Sequence, residues 1–321
     1  MLRSISLIAA LGLCACASVV AEEAPITSLS DPDDWTLVWA DEFNGEDIDA
    51  SKWTHEVDCW GGGNDERQCY TTLPTNSNVA DGKLSIIAQI QQAEGPALPP
   101  RLLETVPEEE RGATKKQPFT SARLNTKGKA DWTYGRFETR AKMPIGQGVW
   151  SAIWMLPTDE IYGAWAASGE IDIVEAVNLG ALCRKCDNRE ENRVIGTIHY
   201  GDEWPRNKYK GKHVEMPDSE DGFHTYAVEW EAGSITWFID GEPYSTLTSK
   251  DWGSGALFSN KSKTAPFDQP FHLILNVAIG GNLAEDNNSG GVSLADFPKT
   301  MEVDWIRVYQ RKNAETLETG E

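Results

Sequence analysis

Three carboxylates fall within six residues of the stretch Gly169–Ala176, among β-branched and apolar neighbours. Such neighbours fit a pleated, half-buried strand, and a strand has little reason to bury unpaired acids, because each buried charge is costly. Glu170, Asp172 and Glu175 therefore indicate a strand with one face on a wet groove. Two carboxylates flanking a groove are what glycoside hydrolysis requires. One attacks the anomeric carbon, and the other gives a proton to the leaving oxygen.

The spacing of the acids predicts the local geometry. Side chains alternate along a strand, so Glu170 and Asp172 share a face and Glu175 would point away from it. One extra residue in a β-bulge at Ile173–Val174 returns Glu175 to the acidic face, whereas a helix would scatter the acids around its axis. Asp172 then lies between the glutamates, and like charges this close favour a protonated Glu175. Carboxyl groups about 5–5.5 Å apart predict retention of configuration.

Two other readings of the acidic stretch stay open. One is a solvated acidic edge strand without a function. The other is a metal site that His199 joins, although no compact ligand set with metal spacing accompanies the acids.

The composition is that of a globular protein. The 321 residues suffice for one large domain or two small ones. The formal net charge of -21 argues against nucleic acids and polyanionic substrates, but not against a neutral substrate. Thirteen tryptophans are many for this length, and although exposed indoles bind sugar rings, most are expected in the core.

Residues 1–21 have the features of an export signal. Arg3 precedes an apolar run that is too short to span a membrane. Residues 13–16 resemble a bacterial lipobox, which would leave Cys16 as a lipidated N-terminus, while Val19–Ala21 resembles an ordinary cleavage site. We favour the lipoprotein, because two cysteines would be unusual in a simple signal. The mature protein is expected outside the cytoplasm, secreted, periplasmic or anchored to the outer membrane, without a transmembrane helix.

The remaining cysteines fit an oxidising compartment. Cys59 and Cys69 flank a Gly-rich loop that a disulfide would close. Cys183 and Cys186 form a CxxC motif, for which a local disulfide is favoured. A redox role would need a βαβ context, and a zinc site would need two more ligands.

Short segments separated by Gly, Pro and Asn turns dominate the rest of the chain. Strands are predicted over Trp35–Phe43, Lys83–Ala88, Tyr134–Met143, Trp150–Leu156, Arg193–Tyr200, His224–Trp230, Ile235–Asp240, Phe271–Ile279 and Met301–Tyr309. Residues 91–118 lack periodicity and are predicted as a long surface loop. Without a 3.6-residue apolar period, the pattern predicts an all-β antiparallel sandwich or barrel. We expect one domain over 35–312, between a tether at 22–34 and an acidic tail at 313–321.

Several segments resemble glycoside hydrolase family 16, in the order in which that family carries them. Gly169–Glu175 resembles the bulged form of its signature, and further matching segments lie at 119–124, 134–138, 148–157, 197–201, 237–241 and 303–309. The resemblance implies a β-jelly-roll sandwich with a substrate cleft across its concave face. It also implies that Glu170 is the nucleophile, Glu175 the acid/base and Asp172 the residue that supports both.

The bulged signature with Tyr162–Trp165 upstream is most similar to laminarinases, which cut β-1,3-glucan internally. This implies a monomeric, retaining endo-β-1,3-glucanase that needs no catalytic cofactor. The residues expected at the glucan by the same resemblance are Asn64, Arg123, Trp150, Trp154, Trp165 and His199. The tryptophans would line glucose subsites, the asparagine and arginine would bind hydroxyls, and the histidine would lie near the scissile bond. Core packing, a structural ion pair and a structural histidine are the respective alternatives.

Members of the family often hold a structural calcium on the convex face. The matching ligands are Glu42, the Gly82 carbonyl and Asp304. Oxygen ligands from distant segments suit calcium, and the alternative for Asp304 is that it caps a strand end.

The chain departs from laminarinases at Leu283, where tryptophan is common, and in the segments 60–68 and 91–118. These departures bear on the subsites and on the balance of hydrolysis and transglycosylation. A mixed-linkage β-glucanase or an agarase is the rival with the same chemistry, although the acidic surface disfavours a sulfated galactan. A glucan-binding module that does not cut is the rival from another class, and the three acids disfavour it.

Overall fold

The computed structural model describes residues 34–186, 188–216, 222–255, 262–295 and 297–312. The expected signal and acidic tail, and all but the last residue of the tether, lie outside the described residues. Among the residues within these ranges, no helix is long and apolar enough to cross a membrane.

Strands dominate the described chain. They are β1 (Trp35–Asp41), β2 (Thr54–His55), β3 (Gln68–Tyr70), β4 (Ser77–Ala80), β5 (Lys83–Pro96), β6 (Thr114–Ser121), β7 (Arg123–Asn125), β8 (Gly135–Lys142), β9 (Val149–Pro157), β10 (Glu170–Val177), β11 (Arg193–Gly201), β12 (Asn207–Glu215), β13 (His224–Glu231), β14 (Ser234–Ile239), β15 (Glu242–Thr248), β16 (Phe271–Ile279) and β17 (Lys299–Arg311). A single helical turn, α1, spans Asn282–Glu285, and 3₁₀-helices span Pro100–Thr105 and Glu108–Glu110.

The strands form two sheets. The larger has the order β15-β14-β13-β8-β17-β5-β6-β3, with β1 paired to β17 and β4 paired to β5. The smaller has the order β12-β11-β10-β9-β16-β7-β2 and carries the acidic strand β10 beside its central strand β9. Apart from the parallel pairing of β3 with β6, the strands of both sheets are antiparallel. The predicted antiparallel sandwich is confirmed.

Aromatic side chains join the two sheets in the core. Trp230 of β13 lies 6.3 Å from Phe137 of β8 and 5.2 Å from Phe271 of β16, measured between ring centroids. Trp237 of β14 donates a hydrogen bond from its indole N–H to the main-chain carbonyl of Asp172 over 2.8 Å. A bulge interrupts the ladder of a sheet, and this bond gives a carbonyl beside the bulge a partner in the opposite sheet.

Seven of the described strands were not predicted from the sequence: β2, β3, β4, β6, β7, β12 and β15. β12 and β15 are edge strands whose side chains are mostly exposed or half-buried, so they lack the apolar alternation that reveals a strand. The expected loop over 91–118 is wrong at both ends, because β5 continues to Pro96 and pairs with β6 from Thr114. Many side chains of this outer hairpin are exposed, which explains why its sequence shows no period.

Candidate active site

The acidic strand β10 is bulged where the spacing of its acids predicts. Its register shifts between Asp172 and Val174 against β9, and between Asp172 and Glu175 against β11. Glu170 lies opposite His199, and Glu175 lies opposite Ala152. The extra residue brings Glu175 to the face that already carries Glu170 and Asp172.

Glycine is required immediately before this strand. Gly169 has a φ of +89°, which favours glycine. A Cβ there would also lie 3.0 Å from Phe267 Cε1 and 3.1 Å from Pro266 Cγ. Close packing against the core thus fixes where the chain enters β10, and with it the position of Glu170.

Two indoles hold the two glutamates. Trp165 donates from Nε1 to Glu170 Oε2 over 2.6 Å, and Trp150 donates from Nε1 to Glu175 Oε1 over 3.0 Å. Trp165 comes from the loop between β9 and β10, while Trp150 lies at the start of β9. Each carboxyl group therefore has its own neutral donor, which fixes its orientation.

His199 of β11 lies against the other side of the acids. Its Nε2 is 3.7 Å from Glu170 Oε1 and 3.4 Å from Asp172 Oδ2. The ring lies tilted between those of Trp165 and Tyr209, at centroid distances of 5.6 and 5.9 Å. Burial alone would disfavour the charged ring, but the neighbouring acids raise the pKa of His199 to about 10. The imidazolium thus supplies a positive charge beside Glu170.

The three acids share one direction of pKa shift but differ in its opposing causes. Burial raises the pKa of Glu170, and the charge of His199 and the Trp165 N–H oppose the increase. Burial raises the pKa of Asp172, and the Glu170 charge raises it further. Burial and the charge of Asp172 raise the pKa of Glu175 to about 8, and the charge of His199 and the Trp150 N–H oppose the increase. The His199 ring contacts Glu170 directly, which supports the ionised form of that carboxyl group, whereas the raised pKa of Glu175 supports its protonated form.

Glu170, Asp172 and His199 also come close enough together to hold a metal ion. A metal-bound histidine must be neutral, whereas the acids here favour the imidazolium. The arrangement therefore suits an internal ion pair better than a metal centre.

Arg123 lies on β7 and Trp154 on β9 of the same sheet, with β16 between the two strands. Arg123 is buried, with its guanidinium 4.5 Å from the Tyr70 ring and 5.5 Å from the Trp154 ring. It pairs with Glu56 at 3.5 Å, and Trp154 donates to Asn276 Oδ1 over 2.8 Å. Arg123 is thus part of a buried polar network on β7, a strand that β9 and β16 separate from the acids of β10.

Asn64 is placed differently. Its side-chain Nδ2 donates to Glu66 Oε1 over 3.4 Å. Its main-chain carbonyl accepts a hydrogen bond from the main-chain N–H of Asn282 over 2.8 Å. These contacts join the 61–66 loop to the start of α1, and none of them reaches β10.

Comparison with known proteins identifies the family. The chain matches the family model described as the beta-porphyranase A-D GH16 domain over residues 35–311. The chain belongs to glycoside hydrolase family 16. The glucan endo-1,3-beta-glucosidase A1 of Niallia circulans is 40% identical over 289 residues, which cover 86% of this chain but 38% of that protein. This chain therefore spans well under half the length of that relative.

Solved structures of family 16 agree with the fold. The laminarinase of Rhodothermus marinus has a TM-score of 0.68 at 36% identity, with 86% of this chain and 98% of that chain covered. A mutant of a non-specific endo-β-1,3(4)-glucanase, co-crystallised with a glucan oligosaccharide, has a TM-score of 0.68 at 35% identity, with 88% and 98% covered. The predicted jelly-roll fold and family membership are confirmed.

Both expected disulfides are formed, Cys59–Cys69 and Cys183–Cys186. The second closes a short turn in which the Cys183 N–H donates to the Arg189 carbonyl over 2.9 Å. A bonded cysteine pair offers no thiolate to zinc, so the local-disulfide interpretation of the CxxC motif is confirmed.

The carboxylates expected at the family's calcium site have arginine partners. Glu42 accepts hydrogen bonds from Arg307 over 2.8 and 3.0 Å, and Asp304 pairs with Arg140. Gly82 lies in the turn between β4 and β5 with a φ of +70°. The donors are oxygens, as calcium requires, but an ion that used both side chains would have to displace two guanidinium groups.

Several residues of the site were not identified from the sequence. No sequence pattern marks Tyr70 as a site residue, yet its hydroxyl accepts a hydrogen bond from Asn276 Nδ2 over 3.1 Å. Asn276 could have been identified from the sequence, because it is a polar residue inside the apolar run Phe271–Ile279. Its side chain is buried. Tyr209 lies on β12, a strand that the sequence does not reveal.

Proposed function

We propose that this protein is a retaining endo-acting glycoside hydrolase that cleaves β-1,3-glucan, with Glu170 as nucleophile and Glu175 as acid/base. The observation that carries the proposal is the bulge in β10, which brings both glutamates to one face of the strand, with Glu170 beside His199 and Glu175 beside Asp172. Relatives named as endo-1,3-β-glucosidases and laminarinases support the substrate class.

The first step breaks the glycosidic bond. The Glu170 carboxylate attacks the anomeric carbon while protonated Glu175 transfers its proton to the leaving oxygen. The bond to the leaving sugar breaks as the ester bond to Glu170 forms. Nearby His199 and the Trp165 N–H favour the carboxylate form of Glu170, and burial beside Asp172 keeps Glu175 protonated.

The second step releases the glycosyl unit with its configuration retained. Glu175, now ionised, takes a proton from a water molecule whose oxygen attacks the anomeric carbon. The ester bond breaks, and Glu170 leaves as a carboxylate. Asp172 supports both steps from its position between the glutamates, because a proton that it shares with Glu170 stabilises the departing carboxylate.

Hydrolysis of laminarin tests the proposal directly. We expect the purified protein to release reducing ends, with the β-anomer appearing first in the proton NMR spectrum. Prior appearance of the α-anomer would overturn the retaining mechanism. Binding of laminarin without release of sugar would instead favour the glucan-binding module, and Glu170→Gln serves as the inactive control.

The linkage needs a separate comparison, because the matching family model is described for beta-porphyranases and one solved relative is a non-specific β-1,3(4)-glucanase. We expect kcat/KM to be highest for laminarin in a panel with lichenan, agarose and porphyran. The net charge of -21 disfavours a sulfated galactan. A preference for agarose or porphyran would overturn the glucan assignment while leaving the mechanism intact.

A structural calcium near Glu42, Gly82 and Asp304 is a further part of the proposal. Its support is the family resemblance and the all-oxygen donor set. The competing arginine pairs are partly exposed, and pairs of this kind contribute about 1 kcal/mol or less. Calcium should raise the melting temperature of EDTA-treated protein, and equal melting curves with EDTA and with calcium would exclude the site.

Export is proposed from the N-terminal sequence. Residues 1–21 carry the signal pattern, and the two disulfides of the described chain suit an oxidising compartment. Mass spectrometry of the mature N-terminus distinguishes a lipidated Cys16 from cleavage after Ala21. Light scattering of the mature protein tests the expected monomer.

A further inference from the structure

Two segments that depart from the laminarinase pattern are bonded to each other in the structure. The Cys59 N–H donates to the Pro96 carbonyl over 2.7 Å, and the Gln117 amide donates to the carbonyls of Cys59 and Glu66 over 3.2 and 3.1 Å. The Lys115 ammonium donates to the Trp60 carbonyl over 3.2 Å. We call the joined segments 59–69 and 95–117 the loop wall.

The loop wall carries a fixed arginine. The Arg101 guanidinium lies 5.0 Å from the centre of the Trp60 ring, within the range of a cation–π contact. Gly63, with a φ of +77°, packs so closely that a Cβ would lie 3.2 Å from Trp60 Cζ2. The indole is thus held by its own loop, and it holds the guanidinium in turn.

Arg101 lies beside the cleft. It interacts electrostatically with Glu170, the proposed nucleophile, and with Glu56, the partner of Arg123. The residue is exposed, and within the described chain its guanidinium has no hydrogen-bond or salt-bridge partner. Its five N–H donors are therefore available to a molecule in the cleft.

The charges around Arg101 define the chemistry that it suits. Desolvation of the guanidinium and the neighbouring charge of Arg123 lower the pKa of Arg101, and Glu56, Glu160 and Glu170 oppose this decrease. The three acids near the guanidinium disfavour an anionic ligand there. A guanidinium beside three acids, whose N–H groups have no acceptor within the described chain, is suited to the hydroxyls of a neutral sugar.

We propose that Arg101, positioned by Trp60, is an additional substrate-binding residue that donates hydrogen bonds to the hydroxyls of a glucosyl unit at the loop-wall end of the cleft. This inference rests on the proposed function for the identity of the sugar. Arg101 is the binding residue, and Trp60 acts through it as a positioning residue.

Isothermal titration with laminarihexaose tests the inference without relying on turnover. Glu170→Gln is compared with the same variant that also carries Arg101→Ala. A hydrogen bond to a charged donor predicts that the second variant binds the hexaose about tenfold more weakly. Laminaribiose, which is too short to fill the cleft, should show no such loss. A loss that is equal at both lengths would indicate a general disturbance and overturn the subsite.

Matched variants separate binding from folding. Arg111→Ala removes an exposed arginine of the same loop wall and should leave affinity unchanged. Trp60→Ala should reproduce the loss and Trp60→Phe should restore most of it, because phenylalanine keeps an aromatic face for the guanidinium. If Arg101→Ala lowers the melting temperature, Arg101→Gln takes its place in the comparison.

Hexaose affinity that is unchanged by either Arg101 substitution, or absent in all variants, overturns the inference. Failure of the proposed function has a different signature, namely no sugar release from laminarin by the wild-type protein.

Discussion

Trp150 Nε1 donates a hydrogen bond to Glu175 Oε1 over 3.0 Å, whereas Trp154, four residues along the same strand, donates to Asn276 Oδ1 over 2.8 Å. One indole thus stabilises the ionised form of the proposed acid/base, and the other holds a neutral amide. This difference provides a matched pair of substitutions for the pH dependence of the enzyme.

Trp150→Phe should move the alkaline limb of the kcat/KM profile to higher pH. The Trp150 N–H lowers the pKa of Glu175 against the increase caused by burial and Asp172, so its removal lets that pKa rise. Glu175 then keeps its proton to higher pH, and a lost hydrogen bond of about 1 kcal/mol corresponds to a shift of about 0.7 pH unit. Trp154→Phe should leave this limb in place. A shift of the alkaline limb to lower pH in Trp150→Phe would contradict the assignment of Glu175.

Trp165→Phe should act on the opposite limb. The Trp165 N–H lowers the pKa of Glu170, so its loss raises that pKa and the carboxylate forms only at higher pH. The acid limb of kcat/KM should therefore move upward by about 0.7 pH unit, and kcat should fall because the nucleophile is less well oriented. Both variants are measured with the same substrate. If the acid limb stays in place in Trp165→Phe, that limb does not report the ionisation of Glu170.

Azide should restore turnover differently in two variants. In Glu170→Ala, azide can enter the space of the missing nucleophile and attack the anomeric carbon of an activated glucosyl donor, which gives a glycosyl azide of inverted configuration. In Glu175→Ala, the covalent intermediate still forms on Glu170, and azide attacks it to give a product of retained configuration. NMR of the two azides measures the outcome. Exchanged configurations would require the roles of the two glutamates to be exchanged.

The sequence was sufficient to predict the catalytic strand, because three acids in an apolar setting can share a face only if the strand is bulged. The bulge at Asp172–Glu175 follows that expectation, whereas the placement of His199 beside the acids was implied by the family resemblance. The sequence could not predict which tryptophan N–H donates to which carboxyl group. Trp150 and Trp154 are equivalent by type and face, and only the position of Asn276 on the adjacent strand separates them.

Segments without a buried face were the least predictable part of the fold. β12 contributes Tyr209 to the site but is exposed on both faces, so its sequence carries no apolar period. The outer hairpin of β5 and β6 and its 3₁₀-helices have the same property, and Arg101 lies among them. The position of Arg101 beside the cleft depends on contacts between segments that are distant in the chain, such as Cys59 with Pro96, which local pattern does not record.

Glu175→Gln should make the protein more stable, and increasingly so as the pH rises. The pKa of Glu175 is raised from its ordinary value of 4.5 to about 8 in the folded protein, so between these two values the folded protein keeps a proton that the unfolded chain releases. Wild-type stability therefore falls as the pH increases through that window. Glutamine carries no such cost and still accepts the Trp150 hydrogen bond. The melting temperature of the variant should match the wild type near pH 4 and exceed it by a few degrees at pH 8.

Glu190→Gln, at an exposed glutamate, should show no pH-dependent difference. If Glu175→Gln gained no more at pH 8 than at pH 4, Glu175 would have an ordinary pKa and could not hold the proton that the first step of catalysis requires.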